Sequence, residues 1–365
     1  MRAAVCSSFG APLAVEQLQI RAPSAHEVLV RVEACAICHS DVAYAEGAWG
    51  GTLPAVYGHE AAGVVEEVGC EVSGLRPGDR VVVTLIRSCG TCRRCRQGRP
   101  ALCAEPPSEG PGPTLSRPDG SPVHQGMRTA AFAELVTVHR SQVVDLPLEV
   151  SPEAACLLAC GVLTGFGAVT NTAGVEAGSR VVVLGTGGVG LNCVQGAALA
   201  GASQVVAVDV VDKKLTAARH FGASDTVDSS ARDAVEAVAE ITGGHGADYV
   251  FVAAGLARLV EDGARMLGRG AALVLVGMTP SGATVSLDPL VISDSGQRVI
   301  GSKMGDSDPA RDIPRLVGLY QAGRLKLDEL ISQRFELDRI DEAMASARRG
   351  EQLRAVVSFG PSERA

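Results

Sequence analysis

Four thiols fall within fifteen residues in "CGTCRRCRQGRPALC", at Cys89, Cys92, Cys95 and Cys103, with gaps of two, two and seven residues. Three chemistries compete for such a cluster: disulfides, an iron–sulfur centre, or a metal held for structural reasons. The first three cysteines fit the opening of a bacterial ferredoxin run, but that run needs its fourth cysteine after three residues and a proline next. Here the gap is seven and Ala104 follows. The chain holds eleven cysteines, an odd number that suits complete pairing poorly. Four thiolates from one loop can instead close a tetrahedral zinc shell with no open position, a structural site without chemistry of its own.

A second set of ligand-type residues is scattered. "ICHSD" supplies Cys38, His39, Ser40 and Asp41, "YGHEAAGVV" supplies His59 and Glu60, and "LLACGVLTGFG" supplies Cys160. Singly, each has an ordinary role: a buried inert cysteine, or a histidine satisfying a turn. Two cysteines and a histidine together make a zinc site with an open fourth position. Their sequence spacing alone does not bring them together.

A third constellation is "GTGGVG", with Gly185, Gly187 and Gly190 in G-x-G-x-x-G spacing and Gly188 and Val189 between them. It follows the apolar run at Val181 and opens a helical stretch, the context in which this pattern binds a dinucleotide pyrophosphate. The next apolar run ends in Asp209, where a carboxylate meets the adenosine ribose hydroxyls and repels a 2′-phosphate. NAD is therefore the expected cofactor.

The elements that must position these residues divide by texture. The first third carries short β-branched runs, "EVLVRVEACAIC", "EAAGVVEEVG" and "RVVVTLI", broken by turn signals, and reads as an irregular β domain. The stretch "AEPPSEGPGPTLSRPDGSPVHQG" reads as a long surface loop. From Ser179 to about Ser302, strands alternate with helices, the signature of a doubly wound parallel sheet. A helix over "DIPRLVGLYQAGRL" and a strand at "RAVVSF" close the chain.

Composition limits the partners. The chain has 365 residues, 46% hydrophobic and 20% charged, with net charge -8. Length suggests two domains, and the acidic balance gives no reason to expect a nucleic-acid partner. The arginines at 93, 94 and 96 read as a solvated loop surface. No secretory signal opens the chain, and no apolar run reaches the roughly 20 residues of a membrane span. A cytoplasmic protein with reduced thiols is expected, which further weakens the disulfide reading.

With these motifs in this order, the chain resembles the zinc-containing medium-chain alcohol dehydrogenases over essentially its whole length. "GHEAAGVVEEVG" resembles the family's zinc signature, "CGTCRRCRQGRPALC" its structural-zinc lobe, and "GTGGVG" with Asp209 its coenzyme motif. The resemblance implies a GroES-like β-rich catalytic domain from residues 1–161 and 303–365 and a Rossmann domain at 162–302. It implies two zinc ions: a structural one on Cys89, Cys92, Cys95 and Cys103, and a catalytic one on Cys38, His59 and Cys160. Glu60 would lie behind the catalytic metal, Asp41 would orient His59, and Ser40 would bind the alcohol. His39 and Arg354 match positions at the pyrophosphate, Lys214 one near the ribose, and Thr164, Val276 and Met278 positions near the nicotinamide. Trp49 and Leu85 match positions lining the substrate pocket. Many members pass the proton from the serine to a histidine three residues on; here that position is Ala43. The implied activity is reversible NAD-linked oxidation of a small alcohol by a homodimer or homotetramer. The alternatives are oxidation of a thiol adduct of formaldehyde and, less favoured, a non-catalytic NAD- and zinc-binding scaffold.

Overall fold

The computed structural model describes residues 1–108, 110–350 and 352–360. The chain forms two compact units: Met1–Cys160 with the chain from Asp308 onward, and Gly161–Ser307.

The first unit is built on two sheets. In the larger, the strands run in the order Val143–Asp145, Arg80–Thr84, Glu60–Val68, Glu27–Ala36, Arg354–Ser358 and Ile331–Phe335, and Leu135–His139 also pairs with Glu27–Ala36. All pairings are antiparallel except the last two strands, Ile331–Phe335 and Arg354–Ser358. One register row crosses this sheet through Val356, Ala36, Glu60 and Thr84. The β-branched runs behave as the sequence predicts: Val28, Val30, Val32, Val81 and Val83 are buried in one core with Phe132, Leu115 and Val357.

The segment expected as a loop is more ordered than its Pro/Gly content suggests. It contains the strands Leu115–Ser116 and Pro122–Gln125, paired antiparallel within the second sheet. Leu115 and Val123 are each 2% exposed, so two apolar anchors hold the hairpin. Its turn is "RPDGS", where Asp119 Oδ1 accepts from Ser121 N at 2.9 Å and from Ser121 Oγ at 2.6 Å.

The second unit carries one six-stranded parallel sheet in the order Asp225–Asp228, Gln204–Asp209, Arg180–Leu184, Ala247–Val252, Leu267–Leu275 and Arg298–Gly301. Numbered within the unit this is 3-2-1-4-5-6, the doubly wound order in which a dinucleotide binds where the order reverses. The reversal falls between Arg180–Leu184 and its neighbour Ala247–Val252, so "GTGGVG" leaves the sheet at that point. The central strands are buried on both faces, as continuous runs such as "RVVVL" require.

Candidate metal centres and coenzyme site

The register row through Ala36, Glu60 and Thr84 explains how distant ligand-type residues meet. Cys38 lies two residues beyond Ala36, His59 immediately precedes Glu60, and Thr84 reaches sideways to the segment ending in Cys160, donating from Oγ1 to Ala159 O at 2.6 Å. Candidate donor atoms of Cys38, His59, Glu60 and Cys160 all lie within 4.8 Å of one another. His59, Glu60 and Cys160 are buried, and Cys38 is 9% exposed.

Asp41 organises this cluster from a fully buried position. Its Oδ2 accepts from Cys38 N at 2.9 Å, and its Oδ1 lies 3.0 Å from both Gly58 N and His59 Nδ1. Gly58 sits at φ +90°, and a Cβ there would lie 2.5 Å from Phe132 N, so the turn delivering His59 to Asp41 admits only glycine. With Nδ1 engaged by Asp41, Nε2 remains as the candidate donor to a metal; it is buried and has no hydrogen-bond partner among the described residues. Glu60 pairs with Arg354 at 2.6 Å, both buried.

The electrostatics follow from crowding ionisable groups out of water. Hydrogen bonding with Cys160 holds the Cys38 thiol well below its ordinary range against the cost of burial, and His59 and Arg354 add to the effect. The same bond to Cys38, together with burial, pushes Cys160 well above. Burial disfavours the charged imidazole, yet Asp41 and Cys38 outweigh it and hold His59 well above its ordinary value. Burial pushes Glu60 up to about 7, with Arg354 opposing. Two sulfurs, one imidazole nitrogen without a partner and a carboxylate are the donor chemistry of a zinc site with an exchangeable position, so the residues fit that ion.

The four-cysteine loop fits a second ion by geometry. Sγ of Cys89 lies 4.0 Å from Cys95 and 3.6 Å from Cys103, and Sγ of Cys92 lies 3.6 Å from Cys95 and 3.9 Å from Cys103. A tetrahedron with Zn–S bonds of about 2.3 Å has edges of roughly 3.8 Å, whereas a disulfide needs about 2.05 Å. All eleven cysteines are free thiols. The loop pre-forms this arrangement with amide donors: Cys92 N donates to Cys89 Sγ and Cys89 N to Cys103 Sγ, each at 3.3 Å. Arg93, Arg94 and Arg96 are exposed, as a solvated loop surface requires.

In the second unit, Gly185 has φ +87°, and a Cβ at Gly190 would lie 1.8 Å from Gly185 O, so the turn closes only with glycine there. Gly187 caps the helix Gly188–Leu199, which contains Val189, and the space beside its Cα is open, a cradle suited to a pyrophosphate at a helix N-terminus. Asp209 ends its strand with Oδ2 accepting from Thr186 N at 2.7 Å and Thr186 Oγ1 at 3.1 Å, and Oδ1 accepting from Val210 N and Val211 N. These bonds fix the carboxylate at the end of the sheet beside the glycine turn.

The remaining sequence candidates are placed as follows. Ser40 is half-buried and His39 exposed, both on the short helix His39–Ala45. Trp49 is half-buried with its ring edge-on to Tyr44, centroids 5.2 Å apart, and Leu85 is half-buried directly after Thr84. Arg354 lies on Glu60 at the core of the first unit. In the second unit Thr164 is buried, with Oγ1 3.6 Å from Met304 Sδ; Lys214 is half-buried on the helix Asp212–His220. Val276 is 8% and Met278 66% exposed, just past the Leu267–Leu275 strand. Sequence reasoning missed Thr84, Gln142 and Arg87, buried polar residues around the Cys160 segment, and Thr186 beside Asp209. For Thr186 a signal existed, its place inside the glycine motif; a lone Thr closing a strand gives none.

Comparison with known proteins agrees with this geometry. Residues 24–148 match the alcohol dehydrogenase GroES-like domain family, and residues 188–322 match the zinc-binding dehydrogenase family. The chain is 38% identical to the NDMA-dependent alcohol dehydrogenase of Amycolatopsis methanolica, covering 98% of each. It is 35% identical to the S-(hydroxymethyl)glutathione dehydrogenase of Saccharomyces cerevisiae, covering 97% of this chain and 95% of the relative. The crystal structure of benzyl alcohol dehydrogenase from Acinetobacter calcoaceticus superposes with a TM-score of 0.92 at 32% identity, over 98% of this chain and 99% of that one. The chain belongs to the zinc-containing medium-chain alcohol dehydrogenase family.

Two metal sites of unequal character give a direct test. Elemental analysis of the wild type should find two zinc ions per chain. Cys103→Ser should lose one and lower the melting temperature, because a closed structural site contributes folding free energy. Cys160→Ser should lose the other with little loss of stability.

Proposed function

We propose that Cys38, His59 and Cys160 hold a catalytic zinc, that Cys89, Cys92, Cys95 and Cys103 hold a structural zinc, and that Ser40 is the proton acceptor in the oxidation of a small alcohol by NAD. The observation that carries this reading is the convergence of Cys38, His59 and Cys160 from separate segments, two of them bonded to the buried Asp41, next to the half-buried hydroxyl of Ser40. When bound, zinc supplies a Lewis acid that lowers the pKa of an alcohol hydroxyl, and NAD supplies the hydride acceptor. Ser40 Oγ takes the hydroxyl proton and orients the carbinol carbon. Asp41 fixes the His59 tautomer with the proton on Nδ1 and raises the basicity of Nε2. Glu60 lies behind the ligands, paired with Arg354, which together with His39 is assigned to the cofactor pyrophosphate.

The next carrier of the proton is not the familiar one. Ala43 is 8% exposed and has no titratable group. The proton leaves from Ser40 through ordered water, with His39 assigned to the pyrophosphate. Asp209, held by Thr186, selects NAD because its charge repels a 2′-phosphate. Thr164, Val276 and Met278 face the nicotinamide end, Lys214 the ribose, and Trp49 and Leu85 the substrate. The protein works in the cytoplasm: eleven free thiols need a reducing compartment. Among the described residues no helix is long and apolar enough to cross a membrane. The Arg298–Gly301 strand ends its sheet with Val299 42% exposed, an edge suited to pairing with a second copy in a homodimer or homotetramer.

Turnover of a panel of small alcohols with NAD tests the reading; activity absent across the panel, with both zincs bound, would sink it. Ranking NAD against NADP by kcat/KM should favour NAD, and Asp209→Gly should narrow the gap. A wild type that prefers NADP would show that Asp209 does not select the cofactor. Ser40→Ala should lower kcat by about 10²–10⁴-fold, the usual worth of a positioned proton acceptor, with zinc content and NAD binding retained. His39→Gln should weaken NAD binding and leave the pH profile of kcat in place; loss of an ionisation from that profile would make His39 the terminal base.

A further inference from the structure

Cys160 is held differently from its two fellow ligands. Cys38 and His59 each lie within two residues of a paired strand end on one register row, whereas Cys160 lies beyond the helix Pro152–Leu157. A buried side-chain bond ties its approach to that row. Thr84 Oγ1 donates to the carbonyl of Ala159, the residue before Cys160, at 2.6 Å in a fully buried setting. Thr84 is also the direct register partner of Glu60, so the bond fastens the Cys160 segment to the strand paired with the one that follows His59.

Thr84 is itself fixed by a buried amide. Gln142 Nε2 donates to Thr84 O at 2.9 Å and to Arg128 O at 3.0 Å, and Gln142 Oε1 accepts from Arg87 Nε at 2.8 Å and His139 N at 3.3 Å. Arg87 is a donor only, so its contact settles which end of the amide is oxygen, and both ends are saturated. Thr84 and Gln142 are wholly buried and Arg87 is 3% exposed. The amide of Gln142 satisfies main-chain groups of Thr84, Arg128 and His139, and a fully satisfied buried network of this kind rigidifies the backbone it joins.

We propose that Thr84 is a positioning residue for the catalytic metal: its hydroxyl sets the Ala159–Cys160 peptide at the distance from His59 that coordination requires, and Gln142 holds Thr84 in place. The proposal rests on Cys160 being a ligand. Thr84→Val keeps the shape of the side chain and removes the donor, leaving Ala159 O without its bond.

The test compares wild type, Thr84→Val, Thr84→Ser and Cys160→Ser by two readouts besides turnover: zinc release to a chromogenic chelator, and the visible spectrum after cobalt replaces the catalytic zinc. Thr84→Val should release the catalytic zinc at least about ten-fold faster, as removing an outer partner of a metal ligand typically does, and should shift the thiolate–cobalt bands. The four-cysteine zinc should stay, and Thr84→Ser should restore both readouts. A Thr84→Val protein with wild-type release and spectrum overturns the proposal, even if its stability falls. Should Thr84→Val not fold, Thr84→Ala decides by the same readouts. Cys160→Ser separates the failures: if it keeps both zincs, the ligand assignment itself is wrong.

Discussion

A buried carboxylate with three donors around it is the constraint on which the rest of the site depends. Taking Asp41 out of water costs several kcal/mol. Three bonds to a charged acceptor, at about 1.5–3 kcal/mol each, offset that cost only if Cys38 N, Gly58 N and His59 Nδ1 all stay in place. The penalty for losing any of them therefore enforces the geometry. The bond to Cys38 N begins the helix His39–Ala45 and so places Ser40. The bond to Gly58 N fixes a turn that only glycine can make. The bond to His59 commits Nδ1 and leaves Nε2 for a metal. One side chain thereby fixes two of the proposed ligands and the helix that carries Ser40, the proposed proton acceptor.

The sheet of the first unit does the rest by register. Pairing Ala36 with Glu60 and Glu60 with Thr84 aligns three strand ends, and the chain leaves each end beside the same point. The four-cysteine loop works on a different principle. Its thiols come from one short segment, and amide-to-sulfur bonds pre-shape it, so it needs no distant partner. The first site is assembled by the fold and the second is local. That difference is why losing the metal of the second is expected to cost stability and losing the metal of the first to cost chemistry.

Legibility in the sequence followed the same division. The four-cysteine loop could be read because its ligands are adjacent, and the glycine turn because strand, turn and helix are contiguous. Asp209 could be read as the acid closing the next strand. Cys38, His59 and Cys160 could be assembled only through family resemblance, since their meeting depends on register, which no local pattern states. Thr84, Gln142 and Arg87 were invisible for the same reason: a polar residue closing a strand signals nothing until its partner, Ala159 O, is known. The hairpin Leu115–Ser116 and Pro122–Gln125 was hidden by proline and glycine, although Leu115, Val123 and "PDG" were its signals.

The claim that Asp41 organises the catalytic centre is tested most directly by Asp41→Asn, which keeps the shape but sets an amide donor against the amide donors of Cys38 or Gly58. Metal content and zinc release should be followed for both sites in the purified protein. The account predicts that the catalytic site loses affinity about 10–100-fold while the four-cysteine site is unchanged. Wild-type retention of both ions in Asp41→Asn would contradict it.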